Sequence, residues 1–346
     1  MLKIVFPDDG RRALLRDEVD QEYSKFVGRL PTPLRDYACL RSTYTGKSGS
    51  DRLGGIFNLN PLVVAAPWLF WDAFPLDAES LCVIAKAGSF LGASYVILDH
   101  LIDDQVEEPA LASLLQQALF ERALQLFRTQ LGPTTPFWFH LDRLWADLRD
   151  SLVFEWQRQR NPYPISVDEF RSMAAAKSVP LIITIAALSQ MSNKPNLLDE
   201  AEKSLREVGS AVQLWHDVGD WRNDYRSKHI TYFLSEIMRR FIKEQKSASL
   251  HDISTYFLNY GYPTLYDIDE LIKSHELEVE FLNLSHEWFC KAFYHAESID
   301  SSIWSMYLDQ WKNEVHIYAL SISDPDNPES VPVTFLQVIE RLASSH

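Results

Sequence analysis

Two acidic clusters, each at the C-terminal end of a long apolar segment with helical spacing, constrain the fold of this chain most. The first is Asp99-His100-Leu101-Ile102-Asp103-Asp104, and the second is His216-Asp217-Val218-Gly219-Asp220, with Asp224 one turn later. Carboxylates crowded at helical spacing repel one another unless positive charge lies between them. The sequence therefore predicts helices whose ends meet around divalent cations.

The composition is typical of a folded protein that does not bind nucleic acid. Apolar residues make up 46% of the 346 residues, and the formal net charge is −15. The apolar content is enough for a substantial core, whereas binding to a phosphate backbone needs a basic face. Cys39, Cys82 and Cys290 are widely spaced, which favours a reducing compartment over a disulfide framework or a zinc site.

The N-terminus predicts a cytoplasmic location. It lacks the long apolar core and the cleavage site of a signal peptide. The longest uninterrupted apolar stretch, Leu62–Trp71, is too short to span a bilayer. We therefore expect no transmembrane segment.

Helical periodicity extends over most of the chain, and strand patterns are nearly absent. The pattern predicts helices over Leu81–Ile102, Leu111–Leu131, Phe137–Arg158, Val167–Ser189 with a kink at Pro180, and Asn196–Arg226 with Asn196 as its cap, and further helices near Phe233–Lys243, His275–Phe293, Ser302–Ala319 and Phe335–Ser344. The Gly- and Ser-rich segment Thr43–Asn60 is predicted as a loop. We predict a single all-α domain over residues 1–346, with long helices around a central cavity.

The spacing of the first cluster places two carboxylates on one helix face. Asp99 and Asp103 are i and i+4, and Asp104 lies on an adjoining face. Oxygen ligands of this kind suit Mg²⁺, which takes a few carboxylates together with waters and substrate phosphate oxygens.

The second cluster allows two stripes. Asp217, Asp220 and Asp224 are spaced i, i+3, i+7, whereas His216, Asp220 and Asp224 are spaced i, i+4, i+8. A single acidic stripe is usually a solvated helix face. Both clusters continue directly from apolar runs, and neither contains a lysine between its first and last carboxylate, which favours metal binding over that alternative.

Basic residues near the clusters are candidates for binding an anion. Lys177 follows an Ala-rich apolar run, where an ammonium is costly to bury without an anionic partner. Arg226 and Lys228 follow the second stripe directly. The alternatives are a snorkelling Lys177, and charges at Arg226 and Lys228 that complement the helix dipole.

These features together resemble the class I isoprenoid synthases, which comprise the trans-prenyl diphosphate synthases, the squalene and phytoene synthases, and the class I terpene synthases. The first cluster is similar to their DDxxD motif with His100 at the second Asp, and also to the DxxxD form. The second cluster resembles the second DDxxD motif with His216 at the first Asp, and it also fits the spacing of the NDxxSxxxE triad. Lys177-Ser178 is similar to a Lys-Thr pair that holds diphosphate. The resemblance covers roughly residues 58–245.

The resemblance implies the isoprenoid-synthase fold, an allylic prenyl diphosphate substrate, and three Mg²⁺ ions, with Mn²⁺ as the alternative. By the resemblance, the metal ligands are Asp99, Asp103, Asp104, His216, Asp217, Asp220 and Asp224. The catalytic residues are Asp99, Asp103, Asp220 and Lys177, and the diphosphate-binding residues are Lys177, Arg226 and Lys228. Tyr95 and Trp215 are expected to line the cavity and to stabilise a carbocation by cation–π attraction. Family analogy also suggests a homodimer.

Three functions stay open, of which a terpene cyclase is the first prediction. A chain-elongating synthase usually carries a Gly-Gly-Lys-Arg-type element for its second diphosphate, and Asp51-Arg52-Leu53-Gly54-Gly55 matches it poorly. This favours the use of one allylic substrate, followed by cyclisation or rearrangement. The alternative is a prenyltransferase that joins two prenyl units. The third possibility is a non-enzymatic helical scaffold whose acidic stripes are solvated.

Overall fold

The computed structural model describes residues 11–41, 61–103, 105–160, 163, 165–244 and 262–323. These residues form thirteen α-helices and no β-strand, which confirms the predicted all-α class. The helices are α1 (Arg11–Gly28), α2 (Thr32–Arg41), α3 (Pro61–Leu69), α4 (Ala78–Ile102), α5 (Pro109–Gln130), α6 (Phe137–Arg160), α7 (Val167–Ala176), α8 (Val179–Met191), α9 (Leu198–Ser227), α10 (Tyr232–Glu244), α11 (Leu265–Ser274), α12 (Leu277–Ser298) and α13 (Ser302–Ser323).

The central helix of the fold is α4, whose C-terminal end carries the first acidic cluster. Its side chains are small or apolar over most of its length, and they are buried from Ala87 to Tyr95. Small residues let neighbouring helices approach closely. At Gly88 an added Cβ would lie 2.5 Å from Thr184 Oγ1 of α8, so only glycine fits this crossing without a shift. The packing of α4 against α5 and α8 therefore fixes the direction in which its acidic end points.

The segment predicted as one kinked helix, Val167–Ser189, forms two helices instead. A bend of 56° separates α7 from α8, and the break falls at Lys177 and Ser178, before Pro180. Proline lacks an N–H, but the first turn of a helix needs none there, so Pro180 is accommodated in the first turn of α8. The break places Lys177 at the point where two helix axes diverge.

The predicted cap of α9 was also wrong. Asn196 lies in a short 3-10 turn, Pro195–Leu197, and the helix begins at Leu198 with no side-chain cap. Asp199 and Glu200 in the first turn offset the missing cap, because negative charge is favourable at a helix N-terminus. Over its 30 residues α9 packs mainly against α12 and α7, and its C-terminal half carries the second acidic cluster.

The three N-terminal helices were not predicted. In α1 the buried residues are Leu15, Val19, Tyr23 and Val27, one per turn, which is too narrow an apolar stripe to stand out from the sequence. The predicted loop Thr43–Asn60 and the predicted helix Phe335–Ser344 lie outside the described residues. The single domain over residues 1–346 stays a prediction.

One described helix, α4, is long and apolar enough to cross a membrane by length and composition. The other helices bury 72% of its most apolar window. The core helix of a soluble protein passes the same test, so this property does not identify a membrane span.

Candidate active site

The C-terminal turn of α4 presents the first two predicted metal ligands. Asp99 lies in the last turn, and Asp103 ends the helix, its N–H donating to the Asp99 carbonyl at 3.0 Å. The Tyr95 hydroxyl donates to Asp99 Oδ1 at 3.5 Å, and Gln159 Nε2 of α6 donates to Asp103 Oδ1 at 2.5 Å. Asp104 lies outside the described residues. Both described carboxylates therefore face α6 from the end of a rigid helix.

Lys177 lies between this turn and α6. Its Nζ is 3.1 Å from Glu155 Oε1 and 3.9 Å from Asp99 Oδ1. Burial lowers the pKa of Lys177, but Glu155 and then Asp99 outweigh it and hold that pKa well above its usual value. Burial raises the pKa of Asp99 to about 6, with Lys177 lowering it and Glu155 raising it. The ammonium is thus charged and shared between two carboxylates.

The second cluster contributes a deeply buried carboxylate, Asp217 of α9. Its side chain is 2% exposed, and Gln213 Nε2 donates to its Oδ1 at 2.8 Å. Burial raises the pKa of Asp217 to about 7; the Gln213 hydrogen bond lowers it, and the Asp224 carboxylate raises it. Lys177 also lowers the pKa of Asp217, so the two acidic clusters share one electrostatic environment around this ammonium.

The end of α9 adds a histidine to the same group. The backbone N–H of His229 donates to the Asp224 carbonyl at 2.8 Å, and its Nδ1 lies 3.6 Å from Asp224 Oδ1. The hydrogen bond to Asp224 raises the pKa of His229 despite burial, and Asp217 and Glu155 raise it further. A cationic imidazole here would offset the carboxylates on α9 and would favour an anion beside them.

Asp220 and His216 lie on the more exposed edge of the α9 stripe. His216 Nε2 is 3.2 Å from Asp220 Oδ2, and the two side chains are 43% and 42% exposed. Asp217 and Asp224 are therefore the members of the second cluster that the structure brings to Lys177 and His229. The metal-binding roles of His216 and Asp220 stay predictions.

The remaining predicted site residues are Arg226, Lys228, Tyr95 and Trp215. Arg226 and Lys228 are exposed, and Lys228 ends α9 in a left-handed conformation, with φ of 60°. Their role in diphosphate binding stays a prediction. Tyr95 lies beside Asp99, as expected. Trp215 contacts Phe289 of α12 with ring centroids 6.5 Å apart. Two residues along a helix correspond to about 200°, so the structure does not bring Trp215 to the Asp217 side of α9.

The donor set fits a hard divalent cation that keeps water and substrate oxygens in its shell. Within the described residues, no three His, Cys, Asp or Glu side chains converge closely enough to enclose a metal ion by themselves. Mg²⁺ is commonly held by one or two carboxylates and completed by phosphate oxygens and water. Asp99 and Asp103 supply such a pair. Burial raises the pKa of Asp99, and the Glu155 and Asp103 carboxylates raise it further, so a cation beside Asp99 would be favourable.

Sequence reasoning missed three residues of this site, which are Glu155, Gln159 and His229. Glu155 is buried in α6 and contacts Lys177, and Gln159 one turn later contacts Asp103. The usable signal was that Glu155 continues the buried stripe of Leu141, Leu144, Leu148 and Leu152 along α6. His229 lies just beyond the end of α9, where only the three-dimensional turn brings it back to Asp224.

Comparison with known proteins gives a match at the level of structure only. No protein-family model matches the chain, and no curated protein matches it. Polyprenyl synthetase from Streptomyces coelicolor A3(2) is 16% identical, with a TM-score of 0.64 over 88% of this chain and 98% of that chain. Decaprenyl diphosphate synthase from Rhodobacter capsulatus is 13% identical, with a TM-score of 0.66 over 89% and 98% of the two chains. The chain has the isoprenoid-synthase fold.

A third structure with this fold was solved with ligands. Polyprenyl synthase from Caulobacter crescentus CB15, complexed with calcium and isoprenyl diphosphate, is 16% identical and has a TM-score of 0.63 over 88% of this chain and 96% of that chain. The predicted fold is thereby confirmed. The matches cover 96–98% of each of these three chains.

Proposed function

We propose that this chain is a metal-dependent prenyltransferase that ionises an allylic prenyl diphosphate and joins the prenyl unit to a second one. The observation that carries the proposal is the buried Lys177 ammonium, which lies 3.9 Å from Asp99 at the end of α4 and lowers the pKa of Asp217 on α9. The similar structures are polyprenyl and decaprenyl diphosphate synthases, and one of them holds calcium and isoprenyl diphosphate. These neighbours favour the prenyltransferase over the cyclase that the sequence placed first.

Acidic and basic residues of the site would have different roles. Asp99 and Asp103 would hold Mg²⁺ on one side of the diphosphate, and Asp217 and Asp224 would do so on the other. When bound, the ions would withdraw electron density from the departing diphosphate and weaken its bond to the allylic carbon. Lys177 and His229 would donate hydrogen bonds to diphosphate oxygens. Preorganised charges in a site that excludes water cost no reorganisation during the reaction.

The buried surroundings would protect the carbocation. Tyr95 is 6% exposed, and its hydroxyl donates to Asp99 Oδ1 at 3.5 Å near the end of α4. An apolar wall of this kind keeps water from the cation, and an aromatic ring stabilises it by about 0.5–2 kcal/mol. A homodimer and a cytoplasmic location are part of the proposal and rest on the sequence alone.

A terpene cyclase is the second candidate, and one observation favours it. His216 and Asp220 are paired at 3.2 Å and are followed by Asp224, so the i, i+4, i+8 stripe similar to the terpene-synthase triad is intact on one helix. A cyclase would use the same ionisation step and would not need a second prenyl diphosphate.

Product analysis separates the two reactions. The purified chain would be incubated with Mg²⁺ and prenyl diphosphates of increasing length, each alone and together with isopentenyl diphosphate. We expect longer diphosphates, or a head-to-head product from two allylic units. A terpene hydrocarbon or alcohol from a single diphosphate would support the cyclase. No turnover of any substrate, with or without Mg²⁺ or Mn²⁺, would overturn the proposed function.

A further inference from the structure

Glu155 is a buried carboxylate that neither acidic motif contains. It lies on α6, and its side chain is 7% exposed. One oxygen, Oε1, accepts the 3.1 Å hydrogen bond from Lys177 Nζ. The other, Oε2, is buried without a hydrogen-bond partner among the described residues. Burying an oxygen without a hydrogen-bond partner reduces the free energy of unfolding, so the position of this carboxylate needs a reason beyond packing.

The geometry around Lys177 supplies that reason. Three elements meet there: the last turn of α4 with Asp99, the α7–α8 break with Lys177, and α6 with Glu155. The ammonium is 0.8 Å closer to Glu155 than to Asp99, since the two distances are 3.1 and 3.9 Å. Because Lys177 is mostly buried, it needs a carboxylate partner, and without Glu155 the nearest one would be Asp99.

An ammonium paired closely with Asp99 would compete with a metal ion for the same carboxylate. A divalent cation binds a carboxylate oxygen directly, and a lysine hydrogen-bonded to that oxygen must first be displaced. Glu155 carries a full negative charge and offers Lys177 a closer partner. The Lys177 ammonium then lies 3.9 Å from Asp99, beyond hydrogen-bond distance, and leaves this carboxylate to a cation held together with Asp103, one turn later.

We propose that Glu155 is a positioning residue that draws the Lys177 ammonium away from Asp99 and so keeps Asp99 available to a divalent cation. The inference rests on the proposed function, because it assumes that Asp99 holds a metal ion. It gives α6 a part in metal binding that involves no contact with the metal. It also accounts for the presence of a buried glutamate on α6 beside Lys177.

Titration with Mn²⁺ alone tests the inference, with the free ion followed by electron paramagnetic resonance. The wild type is compared with the variants Glu155→Gln, Lys177→Met and Glu155→Gln/Lys177→Met. Glu155→Gln should weaken Mn²⁺ binding about tenfold, in the range found for residues that orient metal ligands. In the Lys177→Met background, the same change should weaken binding by no more than about threefold, because no lysine remains to occupy Asp99.

Two controls make the outcomes distinguishable. Glu202→Gln removes a different part-buried glutamate, which pairs with Arg143 and Arg206, and should leave Mn²⁺ binding unchanged. Asp99→Asn should remove the Mn²⁺ site at the end of α4, so that fewer ions bind than in the wild type. Circular dichroism and thermal melting establish that each variant is folded, and the comparison within the Lys177→Met background stands even if Glu155→Gln alone is unstable.

The results that would contradict the positioning role differ from those that would contradict the proposed function. The positioning role would be overturned if Glu155→Gln bound Mn²⁺ with wild-type affinity. It would also be overturned if Glu155→Gln weakened Mn²⁺ binding equally in the wild-type and Lys177→Met backgrounds. Either result would leave the metal site in place. A wild type that binds no Mn²⁺, or an Asp99→Asn variant that binds it as tightly as the wild type, would overturn the proposed function and the positioning role together.

Discussion

At the scale of single residues, Lys177 is the group on which the site depends most. It lies at a helix break and contacts Glu155, and its charge reaches Asp99 and Asp217 from two other helices. Few side chains could replace it, because the surroundings are buried and strongly acidic. Without diphosphate, the ammonium would balance the charge of the carboxylates. With diphosphate present, it would bind the diphosphate oxygens.

Replacing Lys177 tests this double role. Lys177→Met should lower kcat/KM for the prenyl diphosphate by about 10²–10³, the loss typical of removing one preorganised charge from the transition state. Lys203→Met is the matched control, because Lys203 pairs with Asp199 and Glu200 in the first turn of α9, far along the helix from Asp217. Steady-state kinetics of both variants would provide the comparison. Unchanged kcat/KM in Lys177→Met would exclude Lys177 from the reaction.

Asp217 gives a prediction about pH. Burial raises its pKa from 3.8 to about 7, so the folded protein without metal loses stability from this group as pH rises from about 4 to 7. Asp217→Asn removes that loss. We expect the variant, without metal, to melt at least about 3 °C above the wild type at pH 8 and close to it at pH 4. Equal melting temperatures at pH 8 would show that burial of the ionised Asp217 carboxylate does not destabilise the folded protein.

At the scale of elements, the close approach of α9 to the α7–α8 break positions Lys177. Gly209 lies at this contact, where an added Cβ would be 2.5 Å from Ser178 Oγ and 2.9 Å from the Ala174 carbonyl. Gly219, one residue before Asp220 on the same helix, has nothing within 4 Å of the corresponding position. The two glycines therefore have the same helical backbone and opposite surroundings.

Alanine at these positions should act in opposite directions. Gly209→Ala should push α9 from the break, lowering the melting temperature and also kcat/KM, because Lys177 moves with the break. Gly219→Ala should be neutral or stabilise the protein by up to about 1 kcal/mol, since alanine favours a helix more than glycine does. Thermal melting and kinetics on both variants test the pair. A Gly209→Ala variant as stable and active as Gly219→Ala would contradict the close contact.

The start of α13 is capped by a residue distant in sequence. Asp72, between α3 and α4, accepts hydrogen bonds from the backbone N–H groups of Ser302 and Ile303 at 2.6 and 3.3 Å and from the hydroxyl groups of Ser301 and Ser302. This carboxylate takes the place of an N-cap side chain. It joins the C-terminal helix of the described part to the helices that hold the first acidic cluster.

Loss of this cap should destabilise the protein in a pH-dependent way. Burial raises the pKa of Asp72, but its hydrogen bonds to Ser302 and Ser301 outweigh burial and hold that pKa below its usual value. Its stabilisation is therefore present at neutral pH and is lost as pH falls below about 4. Asp72→Ala should cost about 1–2 kcal/mol at pH 7, measured by urea unfolding. Asp150→Ala, on an exposed part of α6, should cost far less.

At the scale of the whole molecule, the sequence predicted the fold class better than it predicted the site. Helical periodicity identified the segments that became α4, α6 and α9, because apolar residues recur at helical spacing over more than five turns of each. The break at Lys177 was missed because proline is accommodated in a first helical turn as readily as it kinks a helix interior.

The site could be predicted only in part from the sequence, because some of its contacts join segments that are distant in sequence. The two acidic motifs were visible because their carboxylates are neighbours in sequence. Glu155 reaches Lys177 only after α6 and the α7–α8 break have packed together, and His229 reaches Asp224 only through the left-handed turn at Lys228 that ends α9. The orientation of Trp215 away from Asp217 follows from helix geometry, but the direction of the site on α9 is fixed by its packing on α7 and α12.

The central claim is that both acidic clusters act together on one metal-bound diphosphate. Calorimetric titration of inorganic pyrophosphate into the protein tests it most directly, with and without Mg²⁺, for the wild type, Asp99→Asn and Asp217→Asn. We expect pyrophosphate to bind only with Mg²⁺, and either substitution to weaken binding about tenfold or more. Equal pyrophosphate binding in all three proteins, or binding that needs no Mg²⁺, would contradict it.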